Sequence, residues 1–269
     1  MYSMKILILG IGGMLGHSLF SNLNKYDYQV LGTLRDESLI NNFFFHQKEN
    51  VFKINFEKNN FTELNNLIEK IKPDYIINCI GMIKQKHNDY LDTYRFINSE
   101  LPIILENFAN KHRCKLIHFS TDCVFSGATG FYNEASEPDA KDAYGRSKYL
   151  GEVCGKNALT IRTSIIGHEL NTSYSLLEWF LGEKNDSVSG FSNAIFSGLP
   201  TVYVSEVLHK HVLGNDLNGL YHLAVKPIDK FSLLEKISKR YKKEIVIKKD
   251  VNFRIDRSLD CKKFINKTG

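Results

Sequence analysis

Tyr144-Gly145-Arg146-Ser147-Lys148 sets a phenol and an ammonium four residues apart at the start of a helix-forming stretch. Residues at i and i+4 share one helical face, so the two groups can serve one site. A phenol titrates near pH ~10 and is a weak acid-base group at neutrality, but a close cation favours the phenolate and draws that value down. Such a tyrosine can hand a proton to a carbonyl oxygen while a hydride arrives at the carbonyl carbon. The spacing is equally that of an ordinary solvated helix face, so its weight depends on the elements around it.

Those elements alternate. Residues 5–9 are a short continuous apolar run, Lys5-Ile6-Leu7-Ile8-Leu9, the pattern of a strand covered on both faces. Gly10-Ile11-Gly12-Gly13-Met14-Leu15-Gly16 follows and leads into a helical stretch at 15–23. Strand, glycine turn and helix form a dinucleotide-binding arrangement, in which absent side chains let the backbone approach a pyrophosphate at the helix N-terminus. A second strand is expected at 29–34. It ends in Thr33-Leu34-Arg35, without the acid that would accept from a ribose 2′-hydroxyl, and Arg35 suits a 2′-phosphate instead. NADPH is therefore expected ahead of NADH.

Further strands are expected at 51–56, 75–80, 115–119 and 159–162. Helices are expected at 61–71, capped by Asn60, and at 89–112, with Pro102 as a kink or a fresh start. Residues 36–50 are polar apart from Phe43-Phe44-Phe45 and read as a loop or short helix at the sheet edge. The alternation predicts an α/β, Rossmann-type, doubly wound parallel sheet with ligands outside the carboxyl ends of its strands. Asn78-Cys79-Ile80-Gly81 and Ser120-Thr121-Asp122-Cys123 lie at such ends.

The composition of the 269 residues, 43% hydrophobic and 24% charged, is that of a soluble globular chain with a substantial core. A net charge of +5 without dense basic runs suits an anionic small ligand and argues against a nucleic-acid partner. The five scattered cysteines include no CxxC pair and point to reduced thiols in a cytoplasm. The apolar start is broken by glycines, unlike a signal peptide, and no stretch reaches the roughly 20 apolar residues of a membrane span. His209 and His211, two apart, and His168-Glu169 do not make a metal motif, so no metal is expected.

Taken together, the glycine turn, Ser120-Thr121-Asp122-Cys123-Val124-Phe125 and Tyr144-x-x-x-Lys148 resemble the extended short-chain dehydrogenase/reductases, most closely the dTDP-4-dehydrorhamnose reductase branch. The likeness runs from Lys5 to about Gly167. It includes Asn98-Ser99-Glu100-Leu101-Pro102, Gly151-Glu152 and Ile161-Arg162-Thr163-Ser164. The resemblance implies that Thr121 orients a keto oxygen, Tyr144 donates the proton, and Lys148 binds the nicotinamide ribose while lowering the pKa of Tyr144. It implies cofactor contacts at Gly10, Gly12, Gly13, Met14, Leu15, Gly16, Arg35, Asn78, Cys79, Ile80, Gly81, Asn98, Ser120 and Lys148. The substrate would be a nucleoside-diphosphate 4-keto-6-deoxysugar, reduced with NADPH in a polysaccharide pathway. A homodimer is left open.

Two departures bear on the substrate: the branch usually has Tyr at position 123 and Trp at 165, where this chain has Cys123 and Ile165. Cys123 also matches an epimerisation acid-base in fucose-synthase-like relatives, but the histidine partner they use would have to be His168, which comes too early. An acid at 123, as the dehydratases need, is absent. A non-catalytic reading stands beside these, since the regulatory subunit of methionine adenosyltransferase resembles the same branch.

Residues 1–163 are expected to form the dinucleotide-binding unit and 164–269 a mainly substrate-binding region that rejoins the core around 199–224. In that region 175–182 and 231–241 read as helices, 244–248 as a strand, and 190–198, with Asn193, as a loop closing over the sugar nucleotide. Arg240, Lys242, Lys243 and Arg254 are candidate diphosphate ligands.

Overall fold

The computed structural model describes residues 3–43, 45–58, 60–83 and 91–269. The first part of the chain contributes β1 (Met4–Leu9), α1 (Met14–Leu23), β2 (Tyr28–Leu34), α2 (Ser38–Phe43), β3 (Val51–Lys53), α3 (Thr62–Ile71), β4 (Tyr75–Asn78), α4 (Leu91–Tyr94), α5 (Leu101–His112), β5 (Lys115–Thr121), α6 (Ala143–Leu150) and β6 (Ala158–Thr163). The remainder contributes β7 (Ile165–Ile166), α7 (Leu176–Gly182), β8 (Ser187–Phe196), β9 (Leu199–Pro200), α8 (Thr201–Val207), β10 (Gly219–His222), β11 (Ile228–Asp229), α9 (Lys230–Tyr241), β12 (Val246–Asp256) and α10 (Lys262–Thr268).

The continuous apolar runs need cover on both faces, and they become the inner strands of one parallel sheet in the order β10-β6-β5-β4-β1-β2-β3. Strand alternation divides their side chains between two cores. Ile6, Ile8, Ile117 and Phe119 pack with Leu19 and Phe20 of α1 and Val204 of α8, while Leu7, Leu9, Ile76 and Leu116 pack with Leu64 of α3 and Leu105 of α5. The chain direction of strand addition reverses between β1 and β4, which opens a crevice at their carboxyl ends. A second sheet, β11-β8-β12, carries α9 over its own cluster of Leu177, Phe180, Val188, Leu234 and Ile237.

Several boundaries differ from expectation. The third strand leaves the sheet after Lys53. The expected 89–112 helix is α4, a π-helical turn at Arg95–Glu100, then α5; its first two residues and Phe44 lie outside the described residues. Pro102 falls in the first turn of α5, where its missing N–H follows the wider turn and does not break the helix. Residues 190–198 are not a loop: most of them belong to β8, the central strand of the second sheet. Its Ser and Asn content hid an alternation in which Val188, Gly190, Ala194 and Phe196 face inward. The final strand is also longer than expected, running parallel to β8 from Val246 to Asp256 with an irregularity between Asp250 and Arg254.

Candidate active site

The glycine turn closes because nothing larger fits. Gly10 has φ +86°, a left-handed conformation, and a Cβ on Gly16 would overlap the Gly10 carbonyl oxygen. The amides of Gly10 and Ile11 both donate to Thr33 O, tying the turn to the end of β2. Gly13 caps α1 without a side-chain hydrogen bond, and the first turn of the helix, with Met14 and Leu15, contains no acid. Its amide ends and positive dipole therefore face outward, as an anion site requires. Across the crevice Ile80 stands against Gly10, its Cγ1 within 2.9 Å of where a Cβ would sit. Arg35 is exposed at the end of β2, beside Asp36, which accepts from the Ser38 amide and hydroxyl at the start of α2.

The loop after β4 is held from both sides. Buried Asn78 accepts from the Ile80 amide (3.0 Å) and pairs through its amide nitrogen with His118 Nδ1 (3.1 Å). Asn98, wholly buried in the π-helical turn, accepts from the Met82 amide and donates to Met82 O and to Ser147 Oγ. One side chain thus joins the β4 loop to α6. Gly81 lies between Asn98 and Lys148, with ordinary van der Waals room toward both. A dinucleotide fits this cradle: a close backbone turn, an uncapped helix end and a glycine beside a buried ammonium.

Helix α6 starts at Asp142, whose carboxylate accepts from the Gly145 amide. A Cβ on Gly145 would overlap Cys123 O, and one on Gly151 would overlap Asn98 O, so the helix is seated on backbone at both ends. Tyr144 and Lys148 lie between these contacts. The Thr121 side chain acts on the Tyr144 phenol, and Thr121 Oγ1 accepts from the Cys123 amide (3.1 Å) and donates to Asp122 Oδ1 (3.2 Å). Lys148, buried, donates to Phe119 O at 2.6 Å.

The electrostatics correct one expectation. Tyr144 is raised above the ordinary phenol value, not lowered: burial is the largest cause, Cys123, Asp122 and Asp142 add to it, and the Thr121 hydrogen bond opposes it. Lys148 is turned to the Phe119 carbonyl and is itself lowered to about 8 by burial, against the pull of Glu152 and Cys79. Tyr144 is therefore a neutral phenol one helical turn from a buried ammonium that bonds the Phe119 carbonyl.

Cys123 is pushed up to about 12 by burial and by Asp122, so its sulfur is a thiol at neutral pH and not a base. Two cations missed by the sequence reading reach it from the second sheet. Arg257 donates to Phe125 O (2.8 Å) and to Cys123 Sγ (3.4 Å). Lys230 sits 4.1 Å over the Phe196 ring and acts on both Asp122 and Cys123. Their signal in the sequence was only a basic residue after a strand; the residues put forward instead are placed otherwise. Lys243 donates to Leu181 O and Glu183 O at the end of α7, and Arg240, Lys242 and Arg254 are exposed.

The remaining candidates separate. Ser120, on the face of β5 opposite Thr121, gives its hydroxyl to Glu152, so its side chain is engaged away from the crevice. Cys79 is partly buried against the main core and raised above its ordinary value by burial. Ile165 of β7 pairs with Leu199 and packs on the main core. Asn193 is exposed on β8, its amide donating to Val251 O. His168 bonds Glu178 and Tyr241.

A family model described as the RmlD substrate binding domain matches residues 4–246. The chain is 28% identical over 174 residues to the "Probable low-salt glycan biosynthesis reductase Agl14" of Haloferax volcanii, a match to 61% of this chain and 54% of that relative. It is 27% identical over 236 residues to a dTDP-4-dehydrorhamnose reductase of Aggregatibacter actinomycetemcomitans, covering 83% of this chain and 74% of the relative. The fold is similar to a crystal structure of dTDP-4-dehydrorhamnose reductase from Bacillus anthracis in complex with NADP, with a TM-score of 0.75, 21% identity, and 93% and 85% of the two chains covered.

Proposed function

The chain belongs to the RmlD substrate-binding-domain family, a branch of the extended short-chain dehydrogenase/reductases, and from that premise we propose that it is an oxidoreductase that reduces the 4-keto group of a nucleoside-diphosphate 4-keto-6-deoxysugar with NADPH. The observation that carries the reading is the convergence of Thr121, at the carboxyl end of a strand of the parallel sheet, with Tyr144 and, one helical turn on, the buried Lys148.

A bound keto oxygen would accept from Tyr144, and from Thr121 once its one hydroxyl proton turns away from Asp122 Oδ1. Tyr144 is in the form that can give a proton, and its elevated pKa keeps it so across neutral pH. As the proton leaves, the Lys148 charge one turn along α6 stabilises the phenolate that forms. NADPH, when bound, supplies the hydride. The glycine turn and the α1 N-terminus hold its diphosphate, Arg35 its 2′-phosphate, and Lys148 and the Cys79–Gly81 backbone its nicotinamide end. Arg257 and Lys230 offer positive charge to the anionic substrate on the Cys123 side. The product is a 4-hydroxy sugar still attached to its nucleotide, an activated building block for surface polysaccharide.

The test is NADPH oxidation with dTDP-, UDP- and GDP-linked 4-keto-6-deoxysugars made in situ. Turnover with one nucleotide class, abolished by Tyr144→Phe with NADPH affinity unchanged, supports the reading. Tight NADPH binding without turnover on any of them overturns it in favour of a non-catalytic subunit.

A further inference from the structure

Two motifs remain without a role in this reading, Gly151-Glu152 and Arg162. Glu152 lies just past the end of α6. Its Oε1 accepts from Ser120 Oγ and from Arg162 Nε, both at 2.7 Å, and its Oε2 accepts from Arg162 Nη2 at 2.7 Å. The side chains of Arg162 and Glu152 are 2% and 7% exposed, so neither can turn to solvent. Arg162 is fixed further by His222 Nε2 at 3.4 Å from Nη1 and by the Phe125 ring 5.1 Å below it. His222 in turn bonds Tyr132 O through Nδ1.

Lys148 is four residues before Glu152. Its ammonium donates to Phe119 O, and the next residue of β5, Ser120, donates to Glu152. Carboxylate and ammonium are therefore anchored to adjacent residues of the strand that ends in Thr121. Three groups from different elements act on or are acted on by Lys148: Glu152, Cys79 after β4 and His118 of β5. Burial keeps the Cys79 thiol protonated and His118 neutral, so Glu152 alone among them carries negative charge. The Arg162–Glu152 geometry is that of a planar bidentate pair, the strongest form of such a contact.

We propose that Glu152, locked by Arg162, is the buried tie that sets α6, with Tyr144 and Lys148, against the end of β5, with Thr121, and that its charge steadies the Lys148 ammonium from that place. Glu152 is a positioning residue that acts through Lys148 and Ser120. Its kinetic consequence rests on the reductase reading, but its effect on Lys148 does not.

The test follows the Lys148 13Cε signal against pH in the protein without cofactor, assigned by its loss in Lys148→Arg. Glu152→Gln lowers the Lys148 midpoint by about one pH unit or more. Because that variant leaves Arg162 buried and unpaired, the double variant Glu152→Gln with Arg162→Gln is measured as well. Removing Arg162 with it also takes away a positive charge that opposes Glu152, so the double variant shows a downward shift smaller than that of Glu152→Gln alone. Glu152→Asp, which keeps the charge, restores the midpoint toward that of the unaltered protein. In turnover at saturating NADPH, the alkaline limb of kcat/KM for the sugar nucleotide moves with the Lys148 midpoint, while KM at pH 6, where the ammonium is largely retained, stays fixed. An unmoved Lys148 midpoint in a folded Glu152→Gln or double variant overturns the proposal. Absence of turnover with every sugar nucleotide, with the midpoint still shifted, overturns the reductase reading alone.

Discussion

The carbonyl oxygen of Asn98 occupies the space that a Cβ on Gly151 would need. In a regular α-helix that carbonyl would accept from residue 102, which here is Pro102 and has no N–H. Pro102 thus takes the regular α-helical partner away from this carbonyl at the π-helical turn, and only glycine lets the end of α6 rest against it. Asn98 simultaneously clamps the β4 loop and Ser147, so the same residue sets the height of the helix and the position of the loop at the proposed cofactor site.

Gly151→Ala is expected to lift the end of α6 and move Lys148 and Glu152 off their partners on β5. Overpacking of this kind costs roughly 1–3 kcal/mol. Thermal denaturation should show that loss, and steady-state assays should show kcat down by about tenfold or more, since small misplacements of reacting groups are amplified in rate. An unchanged melting temperature and kcat would mean that the helix end relaxes without consequence.

Cys123, raised to about 12, is expected to be alkylated by iodoacetamide at pH 8 about a hundredfold more slowly than a free cysteine, measured by peptide mass spectrometry. For the same reason it does not remove a proton from carbon. Turnover in heavy water should leave the carbons flanking the reduced centre free of deuterium; incorporation there would restore the epimerase reading of this residue.

The legible parts of the molecule were those written in consecutive residues. The run Ile6-Leu7-Ile8-Leu9 with its glycine turn, and the i, i+4 spacing of Tyr144 and Lys148, are local and survive into the fold unchanged. Thr121 is singled out by the family resemblance alone, with Ser120 kept as a cofactor contact, although a strand sends adjacent side chains to opposite faces and only one of the two can enter the crevice. What could not be read depended on distance. Arg257 reaches Cys123 across 134 residues, and the direction of the Tyr144 shift is decided by burial and by Asp122, Cys123 and Asp142 around it, not by the lysine four residues on. The strand β8 was hidden by its Ser, Asn and Gly residues, which compose a loop as readily as the middle of a small sheet.

His222 should make the protein sensitive to mild acid. It is wholly buried, and burial first, then Arg162, lower its pKa from 6.5 to about 4. The unfolded chain therefore binds a proton below pH 6.5 that the folded chain refuses until about 4. Stability is full above 6.5 and falls through that window, by roughly 3 kcal/mol at its lower end. Urea midpoints for His222→Gln should fall less steeply between pH 6.5 and 4.5 than those of the unaltered protein. Parallel curves would show that the histidine does not control this loss.

Lys148 gives the opposite limb. Burial lowers it from 10.5 to about 8, so between those values the unfolded chain holds a proton that the folded chain has released. Folding is then penalised below pH 8, where the ammonium is buried, and the penalty is relieved as pH rises toward 10.5. The cationic form needed at the site is in this sense held at a cost of about 3 kcal/mol. Lys148→Met removes the titration while also losing the bond to Phe119 O. Measured as a difference, which cancels the thiols that titrate in the same range, the unaltered protein should gain stability on Lys148→Met from pH 8 to 10. A difference that stays flat across that range would mean that Lys148 meets no such penalty, and that its charge is better solvated in the fold than its burial implies.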